Sequence, residues 1–266
     1  MCDACIMRTV AAKLGRRGVL AAVAAAAAAP AMAQPVRTAG ISRVVDLTHA
    51  LSPSFPTFGG SPAIEMEQVN VLAKDGYNMH RLSYVEHVGT HFDAPLHFSA
   101  GGAPVDAIPV AQLVCPLVVL DVRAKAAAEP DYQVTPEDIA AHEASHGRIP
   151  QGACLALNAG WDAHVGTPRF RNADAGGKLR FPGFRPDVAP LLLGRGAAGV
   201  AVDTLSLDHG SSPDFAFHVA WLGAGKWGLE CAANLGQLPA TGATIVAGAP
   251  KIAGGTGGPG RAIALA

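Results

Sequence analysis

Side chains that bind metals or transfer protons are concentrated in residues 87–98, which read HVGTHFDAPLHF. Four of them have odd numbers, so an extended chain would point them to one side: His87, His91, Asp93 and His97. The positions between them are mostly apolar. The segment therefore predicts a strand with one core face and one face of imidazole and carboxylate groups. Because Pro95 limits a strand, the pattern fixes the direction of His97 less firmly.

Three imidazoles and a carboxylate on one side would compete for protons, whereas a divalent cation would bind them together. Zinc, manganese, iron and cobalt all accept neutral imidazole and carboxylate ligands, and no thiolate is present in the segment to select among them. Isolated histidines are usually surface or hydrogen-bonded residues. Four such groups at these spacings favour a metal site instead.

Composition is typical of one globular domain. The chain has 266 residues, of which 50% are apolar and 15% charged, enough for one core, with two small domains as the alternative. The formal net charge of −1 gives no electrostatic reason to expect nucleic acid as a partner. After the first 33 residues, no charge or amphipathic pattern indicates a membrane partner either.

The N-terminus has the layout of a secretory signal peptide. Arg16 and Arg17 precede an apolar stretch at 19–29, and Ala31-Met32-Ala33 forms a small-x-small cleavage site. The sequence thus predicts a signal peptide at 1–33, of the twin-arginine type, and a mature periplasmic domain at 34–266. The alternative is an alanine-rich first helix.

Short apolar runs alternate with capped helical segments in the rest of the chain. Strands are predicted at 44–47, 117–122, 154–157, 199–205 and 244–247. Helices are predicted from Thr135 to about 147, from Ser212 to about 222, and from Pro186 through 193. This order indicates an α/β domain with a mixed sheet. The long polar segment 160–184 is interpreted equally well as a lid or as a tolerated insertion.

The motif H-x-G-T-H-x-D-x-P-x-H resembles the signature of the cyclase family of metal-dependent hydrolases, which includes kynurenine formamidases and isatin hydrolases. Segments 46–53, 203–208 and 254–261 extend the resemblance over most of the mature chain. It implies a single α/β domain of the swivelling β/β/α type, with a mixed sheet and flanking helices. It also implies a small-molecule substrate and a homo-oligomer, either a dimer or a tetramer.

The resemblance implies a role for each matching residue. The first metal would be held by His87, His91 and Asp93, and His97 would be the acid/base residue. The formamidase branch holds a second metal with a histidine and a glutamate twelve residues apart, a spacing that His218 and Glu230 reproduce. The implied cofactor is a divalent metal, Zn or Mn, at one or two per chain.

The early substrate loop departs from the formamidase pattern. Segment 55–60 reads FPTFGG and lacks that branch's tryptophan and aspartate, which weakens N-formylkynurenine as the substrate. Phe55, Phe58 and Trp161 are candidates for an aromatic substrate pocket instead.

The predicted function is hydrolysis of a C–N amide bond, in an aryl formamide or a cyclic amide such as isatin, by a metal-activated water. One alternative is a periplasmic metal- or solute-binding protein without catalysis. Further alternatives are an N-formylkynurenine formamidase proper, or a cyclase or dehydratase on the same fold.

Overall fold

The computed structural model describes residues 40–266, and residues 41–266 form one compact unit. The predicted signal peptide at 1–33 lies outside the described residues and stays a prediction. Among residues 40–266, no helix has the length and apolar character that crossing a membrane requires.

Strands and short helices alternate along the described chain. The strands are β1 Val44–Asp46, β2 Ile64–Asn70, β3 Met79–Tyr84, β4 His91–Asp93, β5 Val114–Asp121, β6 Gln133–Val134, β7 Cys154–Asn158, β8 Gly183–Phe184, β9 Gly199–Val202, β10 Trp227–Glu230, β11 Ala243–Val246, β12 Gly257–Pro259 and β13 Ile263–Leu265. The α-helices are α1 Leu72–Asp75, α2 Arg123–Ala128, α3 Pro136–His146, α4 Val188–Gly194 and α5 Ala216–Gly223.

A nine-stranded sheet in the order β1-β13-β11-β5-β7-β9-β10-β4-β12 organises the domain. Strands β5, β7, β9 and β10 are parallel neighbours, whereas the pairings on either side are antiparallel. The prediction of a mixed α/β sheet in a single domain is therefore confirmed. The central strand β7 is buried at all five positions, as expected for a parallel strand covered on both faces.

Alternating residues of the central strands supply two hydrophobic cores, one on each face of the sheet. Leu155 and Leu157 pack into the core that includes α3, α4 and α5. Cys154 and Ala156 point into the opposite core, which includes Phe92 and Trp227. Burial on both faces fixes the register, because a slip of one residue would exchange every side chain between the cores.

The predicted start of α3 is correct, whereas the predicted start of α5 is too early. Helix α3 begins after Thr135, whose side chain accepts a hydrogen bond from the Asp138 N–H in a capping box. Helix α5 begins at Ala216 rather than near Ser212, because Phe215 has a left-handed φ of +52° that a helix cannot contain. The Ser212 hydroxyl instead accepts the Phe215 N–H in the preceding turn, at 3.2 Å.

Candidate metal centre

Strand β4 carries the centre, and its register with β10 places the acidic ligands. His91 lies opposite Glu230 and Asp93 lies opposite Gly228. On the other side, β12 places Gly257 opposite Asp93. A Cβ on Gly257 would lie 2.2 Å from the Phe92 carbonyl, so only glycine permits this close strand approach beside the buried carboxylate.

The imidazole of His91 is oriented by its own turn. Its Nδ1 lies 2.9 Å from the Gly89 carbonyl, which can only accept, so Nδ1 carries the proton. In the neutral ring, the other nitrogen, Nε2, has the free lone pair, and it lies 3.4 Å from Asp93 Oδ1 and 3.3 Å from Glu230 Oε2. Such an imidazole is prepared to bind a cation that both carboxylates also contact.

His218 repeats this arrangement from helix α5. Its Nδ1 lies 2.6 Å from Asp208 Oδ2, while its Nε2 lies 3.0 Å from Glu230 Oε1 and 3.5 Å from Asp93 Oδ2. Asp93 and Glu230 thus each present one oxygen toward His91 and the other toward His218. Both carboxylates thus lie between the two imidazoles, and one oxygen of each would be available to a cation held by either histidine.

The segment that holds His87 and His97 is not the continuous strand that the sequence predicted. Gly89 has a left-handed φ of +69°, so the chain turns before β4, and residues 95–97 form a 3-10 turn that Pro95 opens. The two bends still bring the side chains of His87 and His97 together. Their rings are stacked, with centroids 3.7 Å apart. His87 Nδ1 lies 2.7 Å from Asp93 Oδ1.

The unpaired atoms of the buried cluster fit a metal. His91 Nε2 and Asp93 Oδ2 are fully buried and have no hydrogen-bond partner in the described chain, which is costly for polar groups. Two sets offer ligand atoms within 4.8 Å of one another: His87, Asp93 and His97, and His91, Asp93 and Glu230. Imidazole and carboxylate donors of this kind suit zinc or manganese.

Without a cation, protons hold the cluster together. Burial by itself lowers the pKa of His91, but the nearby Asp93 and Glu230 carboxylates outweigh it and raise that pKa to about 10. Burial would raise the pKa of Asp93, but its contacts with His218, His87 and His91 hold it well below its usual range. A divalent cation would displace these protons, because imidazole and carboxylate must be deprotonated to act as ligands.

A cavity of about 250 Å³ opens onto the centre. His87, His91, His97, His218 and Glu230 line it. Its apolar side is formed by Phe58, Phe98, Phe215, Val88 and Leu205. An aryl or ring-shaped group therefore fits beside the metal ligands.

Of the three predicted aromatic pocket residues, the structure places only Phe58 in the wall of this cavity. Phe55 is buried in the core and packs edge-on against Phe170 at 6.1 Å. Trp161 is also a core residue, because its indole N–H donates to the Phe170 carbonyl at 2.8 Å. Phe55 and Trp161 are therefore core residues and do not line the cavity, which corrects the prediction.

Three polar residues beside the ligands were not predicted. Asp208 accepts the bond from His218, and Thr256 lies 3.0 Å from the other nitrogen of His87. Glu86 in turn bonds the Thr256 hydroxyl. The sequence offered little signal for these contacts, since Thr256 is 169 residues from His87.

The long segment 160–184 is fixed against the substrate loop. Arg171 donates from Nε to the Thr57 carbonyl at 2.9 Å and from a terminal nitrogen to the Phe58 carbonyl at 3.0 Å. Phe58 also packs on Phe181, with ring centroids 6.3 Å apart. The segment therefore supports the loop that carries the aromatic wall.

A mixed α/β domain whose buried histidines and carboxylates face an aromatic cavity fits a metal-dependent hydrolase. The chain belongs to the cyclase family, since the family profile described as "Putative cyclase" matches residues 45–209. It is similar to an isatin hydrolase of Roseibium aggregatum, with 34% identity over 85% of this chain and 92% of that one.

Solved structures show the same likeness. One is an isatin hydrolase bound to the product analogue thioisatinate, with a TM-score of 0.80, 31% identity, and coverage of 95% of this chain and 99% of that one. Another is isatin hydrolase A from Labrenzia aggregata bound to benzyl benzoate, with a TM-score of 0.78, 39% identity, and coverage of 84% and 93%. The protein is thus an enzyme of the metal-dependent amidohydrolase class.

Proposed function

We propose that this enzyme opens the amide ring of a small aromatic cyclic amide of the isatin type, using two divalent metals per chain. One observation carries the proposal: Asp93 and Glu230 each turn one oxygen to His91 and the other to His218, beside an aromatic cavity. The relatives that bind or hydrolyse such compounds support the substrate class.

His87, His91, Asp93, His218 and Glu230 would hold the metals. When bound, a divalent metal lowers the pKa of a coordinated water toward neutrality and polarises the substrate carbonyl.

His97 is placed to move the proton. Burial lowers the pKa of His97 to about 4, so its imidazole is neutral at pH 7 and able to accept a proton. The imidazole would take this proton from the attacking water and return it to the leaving nitrogen. Phe58, Phe98 and Phe215 would hold the aromatic ring of the substrate and exclude water from it.

Metal analysis of residues 34–266 beside a His218→Ala variant tests the metal part of the proposal. About two metals per chain, falling to about one in the variant, is the expected result. One metal, unchanged in the variant, would contradict the bridged centre. Hydrolysis of isatins, cyclic imides and formanilides by the metal-loaded enzyme tests the substrate class, and preference for open-chain formanilides would overturn it.

His97→Ala separates an enzyme from a protein that only binds metal. We expect the metal content to stay constant while the turnover rate falls by about 10²–10⁴-fold, as is typical for loss of a general acid/base. Loss of one metal in the variant would instead make His97 a ligand. Unchanged turnover would remove it from the reaction.

We also propose that the enzyme is exported and forms a homo-oligomer. The N-terminal sequence pattern supports export, which N-terminal sequencing of periplasmic protein would test. Exposed apolar residues on the β2–β3 hairpin support an oligomer, because Met66 and Leu82 lie directly opposite each other and are 47% and 50% exposed. Light scattering of wild type and Leu82→Lys tests this, and a wild-type monomer would refute it.

A further inference from the structure

The hydrogen bonds behind His87 run in one direction and end on a carboxylate. His87 Nε2 lies 3.0 Å from the Thr256 hydroxyl oxygen. The Thr256 hydroxyl bonds Glu86 Oε2, and the Thr256 N–H donates to Glu86 Oε1 at 3.0 Å. Glu86 therefore bonds both the side chain and the backbone N–H of Thr256.

The direction of the hydrogen bonds that link His87, Thr256 and Glu86 follows from which groups can donate. An ionised carboxylate only accepts, so the Thr256 hydroxyl donates its single proton to Glu86. The hydroxyl oxygen can then only accept from His87, so the His87 proton resides on Nε2. In the neutral ring, His87 Nδ1 is then left with the lone pair, and it faces Asp93 Oδ1 at 2.7 Å.

Two acceptors at that separation repel each other unless a cation or a proton lies between them. A divalent cation bound to both would remove the repulsion, and His87 then needs no change of tautomer to bind it. This step rests on the proposed function, in which His87 and Asp93 are ligands.

The glycines on either side of Thr256 keep the contact close. A Cβ on Gly255 would lie 2.8 Å from Glu86 Oε1, and one on Gly257 would lie 2.7 Å from His87 Cε1. The Thr256 carbonyl also accepts the Ala94 N–H at 2.9 Å, directly after β4. The loop is thus fitted to both Glu86 and His87, and its backbone is anchored to the strand that carries Asp93.

We propose that Glu86 and Thr256 are positioning residues that fix the Nε2–H tautomer of His87 and so prepare its Nδ1 for the metal. Neither residue is a ligand in this assignment. Their effect is on the affinity of the metal, and it acts through the proton on His87.

Three substitutions test the direction of the hydrogen bonds from His87 through Thr256 to Glu86. Thr256→Val keeps the shape and removes the hydroxyl, while Thr256→Ser keeps the hydroxyl. Glu86→Gln can donate from its amide to the Thr256 hydroxyl, which would then donate to His87 Nε2 and favour the wrong tautomer. Glu67→Gln is the matched control, because Glu67 pairs with Arg81 on the exposed hairpin.

Two measurements read the result. Zinc affinity, measured by competition with a chelator, should fall about 10–100-fold in Thr256→Val and in Glu86→Gln. Thr256→Ser and Glu67→Gln should stay close to wild type. Nitrogen NMR of the histidine rings in metal-free protein, at a pH where the His87 ring is neutral, should show the His87 proton on Nε2 in wild type and a shift toward Nδ1 in Glu86→Gln.

Wild-type zinc affinity in Thr256→Val and an unchanged His87 tautomer in Glu86→Gln would overturn the proposal. His87→Ala separates this failure from failure of the proposed metal centre. If His87→Ala loses zinc affinity while Thr256→Val does not, only the positioning role is wrong. If both bind zinc as wild type does, His87 is not a ligand and the ligand set itself is wrong.

Discussion

Replacing Asp208 by asparagine should weaken one metal position without removing any ligand. Asp208 Oδ2 lies 2.6 Å from His218 Nδ1 and accepts the His218 N–H at 3.0 Å. Asp208 Oδ1 accepts the Phe217 N–H at 2.8 Å. One buried carboxylate therefore both orients the imidazole and satisfies backbone donors in the first turn of α5.

The size of the effect follows from these two roles. The amide oxygen of asparagine could still accept one bond, but its NH₂ group would face donors where the carboxylate had an acceptor. Removing a carboxylate partner from a metal-binding histidine typically lowers metal affinity about 10–100-fold, or about 1.4–2.7 kcal/mol. Loss of the helix-capping contacts adds about 1 kcal/mol of destabilisation.

Asp138→Asn is the matched control. Asp138 is a buried carboxylate in the first turn of α3 that accepts the Thr135 N–H, but its side-chain hydrogen bonds go to Lys125, Tyr132 and Thr135 and not to a histidine. Chelator competition should show one weakened zinc position in Asp208→Asn and none in Asp138→Asn, while chemical denaturation shows both variants destabilised. Equal zinc affinity in Asp208→Asn and wild type would refute the orienting role of Asp208.

Three further changes probe the loop, the close strand approach and a buried acid. Arg171→Met removes the hydrogen bonds that hold the loop carrying Phe58. The KM for ring amides should rise about tenfold, which corresponds to about 1.4 kcal/mol of lost substrate binding, while the metal content stays constant. An unchanged KM would contradict this. Gly257→Ala should lower the free energy of unfolding by about 1–3 kcal/mol, because the added Cβ would lie 2.2 Å from a carbonyl oxygen of β4. Gly194→Ala is the control and should leave that free energy unchanged, because its Cβ would meet nothing within 4 Å. Equal stabilities of the two variants would contradict this. Burial raises the pKa of Asp203 from 3.8 to about 7, against backbone hydrogen bonds that lower it, so ionisation of this carboxyl opposes folding. Metal-free protein should therefore lose about 3 kcal/mol of stability from this group between pH 4 and 7, and an equal pH dependence in Asp203→Asn would contradict this assignment.

The sequence predicted the fold class because apolar runs and turn residues report burial directly. It placed the central strands to within a few residues and the start of α3 at Thr135, where the capping box is local. It extended the 199–205 strand beyond Val202 and started α5 near Ser212. The left-handed Phe215 depends on tertiary contacts, since a non-glycine residue rarely adopts that conformation by itself.

The site was partly predictable for a similar reason. His91 and Asp93 share a face of β4, as their period-two spacing indicated. His87 reaches the same place through a turn at Gly89, which the pattern of an extended chain did not predict. Asp208 becomes a partner of His218 because the tertiary fold brings two separate segments together. Residue spacing within one segment cannot predict such a contact.

Charge balance supports the two-metal centre that we propose over a one-metal centre. Asp93, Asp208 and Glu230 are each at most 5% exposed, and neutral His91 and His218 leave the cluster with three negative charges. Burying such charge without compensation is strongly unfavourable. One divalent cation leaves −1 and two give +1, which the loss of one proton from a bound water would cancel. In the proposed two-metal centre, the proton that His97 would remove is therefore the one whose loss neutralises the buried centre.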